Sequence, residues 1–154
     1  DGALLLLANL ADTPSVAGEY RLDNIPGLPE GNYAVYWYNR RAAERQAWDQ
    51  FVAVTLDKRF AHDLLRIAPI KGGYAVLGLQ DKRNGLASVA DIVHGKDGIG
   101  LTAREGGTLL MWCEARPGSV RVDGKSMPVE MNGNLLKVVL GEDRRNYAVT
   151  VSRI

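Results

Sequence analysis

The sequence predicts an all-β protein with no long helix, folded as an antiparallel β-sandwich. Short segments rich in β-branched and aromatic residues recur along the 154-residue chain, and turn-forming residues separate them. Asp123-Gly124 and Asn132-Gly133 are typical of two-residue hairpin turns. No segment shows a sustained apolar period of 3.6 residues, so the pattern favours sheets over helices.

The N-terminal half is expected to begin with a strand over residues 3–10. This run is apolar without alternation, which is typical of a strand covered on both faces, so a central position in a sheet is expected. A short strand over 19–22 follows, and two prolines and two glycines exclude a regular element over 23–31. The charged residues 39–46 are expected to form a solvated loop. The other strands of this half are expected at 33–38, 51–56 and 62–67.

The middle of the chain is expected to turn sharply and then cross between two layers of sheet. Pro69 lacks a backbone donor, and Gly72-Gly73 permits positive φ, so a turn is favoured after the last strand of the first half. The apolar run from Tyr74 to Leu79 is bounded by turn residues, which is typical of a buried strand.

The C-terminal half is predicted to contain a series of hairpins. Glycines within 94–98 favour a tight connection between strands at 86–93 and 99–104. Gly106-Gly107 and Pro117-Gly118 bound a further strand at 108–115. The remaining strands of this half are expected at 120–123, 136–140 and 147–151.

Two domain organisations suit a chain of this length: one large sandwich, or two small lobes that share a core. The second is preferred, with a division near residues 67–73 that separates a first lobe, 1–67, from a second lobe, 68–154. The sequence begins at Asp1-Gly2 without an initiator methionine or a signal pattern and enters a strand almost at once. A piece of a longer polypeptide is therefore expected.

The composition argues against nucleic acid and against a membrane as partners. The net charge is +1, from 19 basic and 18 acidic residues dispersed along the chain. The longest apolar run, 3–8, is far shorter than the ~20 residues that a membrane span requires. The one cysteine, Cys113, excludes an internal disulfide and lies in an apolar run, so an inert core thiol is expected.

The residue pattern predicts no catalytic site, no metal site and no cofactor. Catalysis by a pair of carboxyl groups needs the two groups to be held together in a pocket. The available carboxylates are instead isolated in turns or on strand faces, where solvation is their ordinary role: Asp81, Asp91, Glu105, Glu114 and Asp123. His62 and His94 have no second His or Cys at the spacing of a metal site.

Several short motifs, spread over most of the chain, follow the pattern of a known enzyme group. In the second half they are residues 68–70 and 74–79, Asp81, Asn84, Gly107 and residues 115–125. In these motifs the chain resembles the C-terminal β-sandwich region of the raffinose synthase and alkaline α-galactosidase group of glycoside hydrolases. In the first half, residues 6–12, 28–36 and 62–67 resemble the shorter domain that follows the barrel in many α-glycosidases.

The resemblance implies that residues 1–154 are a non-catalytic C-terminal β-sandwich accessory region of a glycoside hydrolase. In such enzymes the catalytic carboxylate pair lies on the barrel, so no catalytic residue carries over to this chain. The implied partner is an upstream catalytic barrel of the same polypeptide, which this region would buttress. An independent carbohydrate-binding module that uses exposed aromatic residues is the alternative.

Aromatic residues form the one candidate ligand-binding or interdomain surface: Tyr36, Trp37, Tyr38 and Trp48. Aromatic faces match the apolar C–H face of a sugar ring. Both faces of the strand at 33–38 are apolar, so three interpretations stay open: core on both faces, core and an upstream domain, or core and sugar. The first two together are favoured, because a large aromatic residue in a strand is usually packed. With Phe51 included, the set exceeds what one small lobe encloses, so part of it is expected at the surface.

Overall fold

A computed structural model describes residues 2–143 and 145–154, and antiparallel strands form its regular structure. Short 3₁₀ helices span Leu22–Asn24 and Gly85–Ser88, and the described residues contain no α-helix. The prediction of an all-β fold without a long helix is therefore confirmed. Within these ranges no helix has the length and apolar character to cross a membrane. The strands are β1 (Ala3–Ala8), β2 (Val16–Tyr20), β3 (Asn32–Trp37), β4 (Ala42–Ala47), β5 (Val52–Leu56), β6 (His62–Pro69), β7 (Tyr74–Leu79), β8 (Val89–Gly95), β9 (Gly98–Ala103), β10 (Thr108–Cys113), β11 (Ser119–Val122), β12 (Lys125–Met127), β13 (Glu130–Asn132), β14 (Leu135–Val139) and β15 (Tyr147–Ser152).

The chain divides into two compact units, Asp1–Pro69 and Ile70–Ile154. The boundary lies within residues 67–73, the interval in which the sequence places a division. Each unit contains a cluster of buried apolar side chains drawn from its own strands.

The first unit consists of a four-stranded sheet, ordered β1-β6-β3-β4, and a two-stranded sheet formed by β2 and β5. Each pairing is antiparallel. Alternate residues of β3 and β6 point into the core, because successive side chains of a strand lie on opposite faces. The buried core residues of this unit are Leu22, Leu28, Tyr33, Val35, Trp37, Val54, Leu65 and Ile67.

The position of β1 differs from the central one expected from the sequence. In the described residues β1 pairs with β6 alone, so it is an edge strand. Leu5 and Leu7 pack on the core, whereas Leu4 and Leu6 are exposed. The unbroken apolar run indicated two covered faces, but the described residues cover only the inner one.

Residues 39–46 also differ from expectation, because most of them form a strand and not a solvated loop. β4 pairs with β3 along its whole length, and Arg41 reverses the chain with a φ of 51°. The charged side chains of Glu44 and Arg45 are exposed. An edge strand tolerates such charges, so the local charge density concealed its pairing.

The second unit is an antiparallel two-sheet sandwich. One sheet has the order β13-β14-β10-β7 and the other the order β12-β11-β15-β9-β8. Apolar residues from both sheets form one cluster, as the inner faces of two packed sheets do. Its buried members include Tyr74, Val76, Leu79, Ile99, Leu101, Leu109, Met111, Leu136, Val138, Tyr147, Val149 and Val151.

Two hairpin turns of the second unit follow the glycine signals of the sequence. Asp123 and Gly124 have φ values of 50° and 79°, as a type I′ turn requires. The second turn was expected at Asn132-Gly133. Asn132 instead pairs with Leu135, so the turn residues are Gly133 and Asn134.

The strand predicted at Tyr74 to Leu79 is β7, and all six of its residues are buried. Gly78 within it has a φ of 82°. A Cβ atom at this position would lie 2.1 Å from the carbonyl carbon of Gly85. Both the backbone conformation and the close approach to the 3₁₀ helix Gly85–Ser88 therefore require glycine.

Candidate functional site

Two of the candidate aromatic residues, Tyr36 and Trp37, are buried within β3. Their exposed fractions are 1% and 3%. The Trp37 ring packs edge-on against Tyr20, with 6.1 Å between ring centroids, and the Arg40 guanidinium lies 4.0 Å from the centroid of the same ring. Trp37 Nε1 donates a hydrogen bond to Glu44 Oε1 at 2.8 Å. Protein groups therefore occupy the positions that a sugar ring would need at Trp37.

Tyr38 follows β3 directly and is partly exposed. Its backbone N–H donates to the carbonyl oxygen of Leu64 at 3.0 Å. The buried Arg66 guanidinium lies 5.5 Å from the centroid of the Tyr38 ring and 5.6 Å from that of Tyr36. One cation thus packs near both rings, and Tyr38 offers only part of its surface to a ligand.

Trp48 is the candidate residue that borders an open cleft. The cleft has a volume of about 320 Å³. Trp48 Nε1 donates to the carbonyl oxygen of Leu28 at 3.0 Å, and its backbone N–H donates to that of Gly31 at 3.0 Å. These bonds hold the indole against the core while part of it stays exposed. The lining residues are Glu30, Gly31, Asn32, Ala47, Trp48 and Asp49.

The polar groups of this cleft come from two segments that strand pairing brings together. Asn32 lies opposite Ala47 in the β3–β4 register, so Glu30 and Asp49 both reach the cleft beside Trp48. Carboxylates accept hydrogen bonds from hydroxyl groups, an amide both donates and accepts, and an indole face suits the apolar side of a sugar ring. Trp48 is a candidate from the sequence, whereas its polar neighbours are not, because they come together only through the pairing of β3 with β4, and residues 39–46 were expected to form a loop.

Glu105, one of the carboxylates considered from the sequence, connects two neighbouring segments of the second unit. Its Oε1 accepts a hydrogen bond from Ser88 Oγ at 2.7 Å. Its Oε2 lies 3.0 Å from Lys82 Nζ. The carboxylate therefore fixes the segment that follows β7 to the end of β9.

Asp123 has a comparable role in the hairpin turn that connects β11 with β12. Its Oδ1 accepts a hydrogen bond from the backbone N–H of Ala148 at 2.9 Å. Its Oδ2 lies 2.9 Å from Arg145 Nη1. Asp81 and Asp91 are exposed on separate segments.

Glu114 borders a second cleft, which lies within the second unit and has a volume of about 340 Å³. Arg153 donates to the carbonyl oxygen of Gly72 and lies 5.8 Å from the centroid of the Tyr74 ring. Burial raises the pKa of the Tyr74 hydroxyl above its ordinary value, so its neutral form persists to higher pH. The lining residues are Gly73, Tyr74, Glu114, Ala115, Arg116, Arg153 and Ile154.

Cys113 is fully buried in β10, and the two histidines lie apart from it in sequence. Burial raises the pKa of the Cys113 thiol to about 12, so the thiol is protonated and a poor nucleophile at neutral pH. His62 Nδ1 lies 3.4 Å from the carbonyl oxygen of Phe60, and His94 is on β8. Among residues 2–143 and 145–154, no group of three His, Cys, Asp or Glu side chains could hold a metal ion.

Phe51 presents an aromatic surface to solvent. Its side chain is 62% exposed, and the Arg21 guanidinium lies 4.7 Å from its ring centroid. The expectation that part of the aromatic set lies at the surface thus fits Phe51 and Trp48 but does not fit Tyr36 or Trp37. No family model matches the chain, and no curated protein matches it either.

Proposed function

We propose that the chain is a non-catalytic β-sandwich accessory region of a glycoside hydrolase of the α-galactosidase and raffinose synthase-like kind, and that it buttresses an upstream catalytic barrel. The observation that carries this proposal is the structural use of the carboxylates. Glu105 and Asp123 hold turns to neighbouring strands through hydrogen bonds and ion pairs. Hydrolysis of a glycosidic bond instead needs two carboxyl groups about 5 to 9.5 Å apart that both face the substrate.

The interior of the second unit supports a mechanical role. Apolar side chains from its two sheets form one buried cluster, which includes Tyr74, Leu136 and Val151. A close-packed core of this kind has low compressibility and transmits force well. Such a sandwich is suited to holding a neighbouring domain in place.

The exposed aromatic surface at Phe51 and Trp48 is the proposed contact for the barrel. Phe51 is largely exposed, and Trp48 is partly so. Large apolar groups that a chain leaves on its surface usually mark an interface. The upstream domain would cover the Phe51 ring and the open side of the Trp48 indole.

The coding sequence upstream of Asp1 provides the first test, and a barrel-length segment is the expected finding. In the complete polypeptide, Phe51→Ser should then lower the temperature at which glycosidase activity is lost, with kcat/KM at low temperature unchanged. Phe60→Ser is the matched control, because Phe60 is 63% exposed and also lies under an arginine, with Arg59 4.8 Å from its ring centroid. A coding sequence without a barrel, or equal effects of the two variants, would refute the proposal.

A carbohydrate-binding module is the second candidate, and the Trp48 cleft favours it. Affinity electrophoresis of the chain in gels that contain soluble polysaccharides measures such binding directly. Glu30→Gln and Asp49→Asn change exposed carboxylates at the cleft, whereas Glu130→Gln changes an exposed carboxylate on β13. Retardation that both cleft variants abolish and Glu130→Gln preserves would favour this second function over the first.

A further inference from the structure

A groove lies between β1 and the β2–β5 sheet of the first unit, with a volume of about 320 Å³. Its lining includes three consecutive residues of β1, 6–8, and three of β2, 18–20. Successive residues of a strand point to opposite faces, so a groove lined by consecutive residues runs along the strand edge. β5 contributes only the alternate residues Val54 and Leu56, which belong to one face. The groove therefore lies between the edges of β1 and β2.

Both of these edges lack a neighbouring strand. In the described part of the chain, β1 pairs with β6 alone and β2 with β5 alone, although only residues 9–15 separate β1 from β2. An edge strand directs a row of backbone N–H and C=O groups away from its partner. An extended segment that lies in the groove could form main-chain hydrogen bonds with one edge or with both.

Apart from the exposed carboxylate of Glu19, the side chains around the groove suit an apolar segment. Leu4 and Leu6 are exposed on the outer face of β1, and Leu7 borders the groove from the inner face. No atom lies within 4 Å of the Cβ position of Gly18, so there is room for an incoming side chain. Edge strands are commonly protected against pairing by lysine, proline or a bulge, and residues 3–8 contain neither lysine nor proline.

We propose that this groove is an acceptor site for one extended, mainly apolar β-strand donated by a partner polypeptide. Side chains on one face of the donated strand cover Leu4 and Leu6, and those on the other face fill the space beside Gly18. The added strand extends the sheet β1-β6-β3-β4. The site does not depend on the glycoside hydrolase assignment, because its complementarity is to backbone and apolar side chains.

The test uses the 154-residue chain and a fluorescein-labelled synthetic peptide of three Thr-Val repeats with two lysines at each end. Fluorescence anisotropy should show saturable binding. Two further peptides keep every side chain but carry N-methyl groups on alternate backbone nitrogens, at odd positions in one peptide and at even positions in the other. Each of them therefore lacks the N–H donors along one edge of the strand. At least one of them should bind about tenfold more weakly or worse, because unmet main-chain hydrogen bonds are costly.

Matched protein variants then locate the site. Gly18→Val fills the groove and should weaken binding of the unmodified peptide at least about tenfold. Gly95→Val is the control, since Gly95 is also exposed, its φ is also not positive, and its Cβ position meets only an ordinary contact, 3.6 Å from the carbonyl oxygen of Gly98; it should leave binding unchanged. Leu6→Lys alters a residue that is 62% exposed, so it keeps the fold and should also weaken binding. Thermal unfolding of each variant verifies folding.

Three outcomes would overturn the proposal. The first is no saturable binding at peptide concentrations up to about 1 mM. The second is binding of both methylated peptides as tight as that of the unmodified peptide, or equal weakening by Gly18→Val and Gly95→Val. The third is a dimer of the wild-type chain in sedimentation velocity that Leu6→Lys dissociates and the peptide does not, since the occupant would then be a second copy.

Discussion

Replacing Gly78 with alanine should destabilise the protein more than the same replacement at Gly72. Both glycines have positive φ, 82° and 56°, where alanine costs about 1–2 kcal/mol. At Gly72 the new Cβ meets no atom within 4 Å, whereas at Gly78 it lies 2.1 Å from the carbonyl carbon of Gly85 and 2.5 Å from the nitrogen of Leu86. These are backbone atoms, so one segment must shift, which costs about 1–3 kcal/mol more.

The free energy of unfolding should therefore fall by about 1–2 kcal/mol for Gly72→Ala and by about 2–5 kcal/mol for Gly78→Ala. Urea denaturation followed by circular dichroism measures both losses, and an unchanged m value indicates that the surface exposed on unfolding is the same. Losses that agree within about 0.5 kcal/mol would refute the reasoning, because the close approach of β7 to the 3₁₀ helix would then add nothing.

Three further predictions follow from burial and hydrogen bonding. Trp37→Ala should cost about 3–5 kcal/mol and Phe51→Ala under about 1 kcal/mol in urea denaturation, because only the first ring is buried; the reverse order would contradict this. Burial raises the pKa of Cys113 from 9.0 to about 12, so the unfolded chain loses this proton first and stability should decline from pH 9 towards pH 12. Cys113→Ala should show a smaller decline in the same range, and identical slopes would count against the buried thiol. Asp123→Ala should speed hydrogen exchange at the Ala148 amide more than Asp123→Asn, which keeps the acceptor oxygen, and equal rates would argue against that bond.

Local sequence patterns predicted the strands whose two faces differ and the turns that require glycine. Leu136 and Val138 in β14, and Val149 and Val151 in β15, alternate with more exposed residues, because a half-buried strand has a side-chain period of two. The turn at Asp123-Gly124 was also predictable, since few residue pairs adopt positive φ at both positions. The burial of β7 followed from an apolar run between turn residues.

The candidate site was predictable only in part. Trp48 could be selected because an aromatic residue outside a regular apolar run is a plausible surface group. Its neighbours Glu30, Asn32 and Asp49 could not, since the exposed charges of β4 concealed the strand whose pairing with β3 brings these residues together. Trp37 had the same aromatic signal, yet Tyr20, Arg40 and Glu44 surround its ring.

Residue types and their spacing were enough to predict that this protein is built of strands, where its glycine turns lie and which residues are apolar enough to be buried. Which strand lies at an edge depends on tertiary contacts. The apolar run of β1 predicts cover on both faces. In the described part of the chain, however, β1 pairs with β6 alone, leaves Leu4 and Leu6 exposed and borders the groove beside β2. The physical reason is that apolar periodicity reports which faces of a strand favour burial, whereas the neighbour that covers a face or pairs with an edge comes from segments far away in the chain.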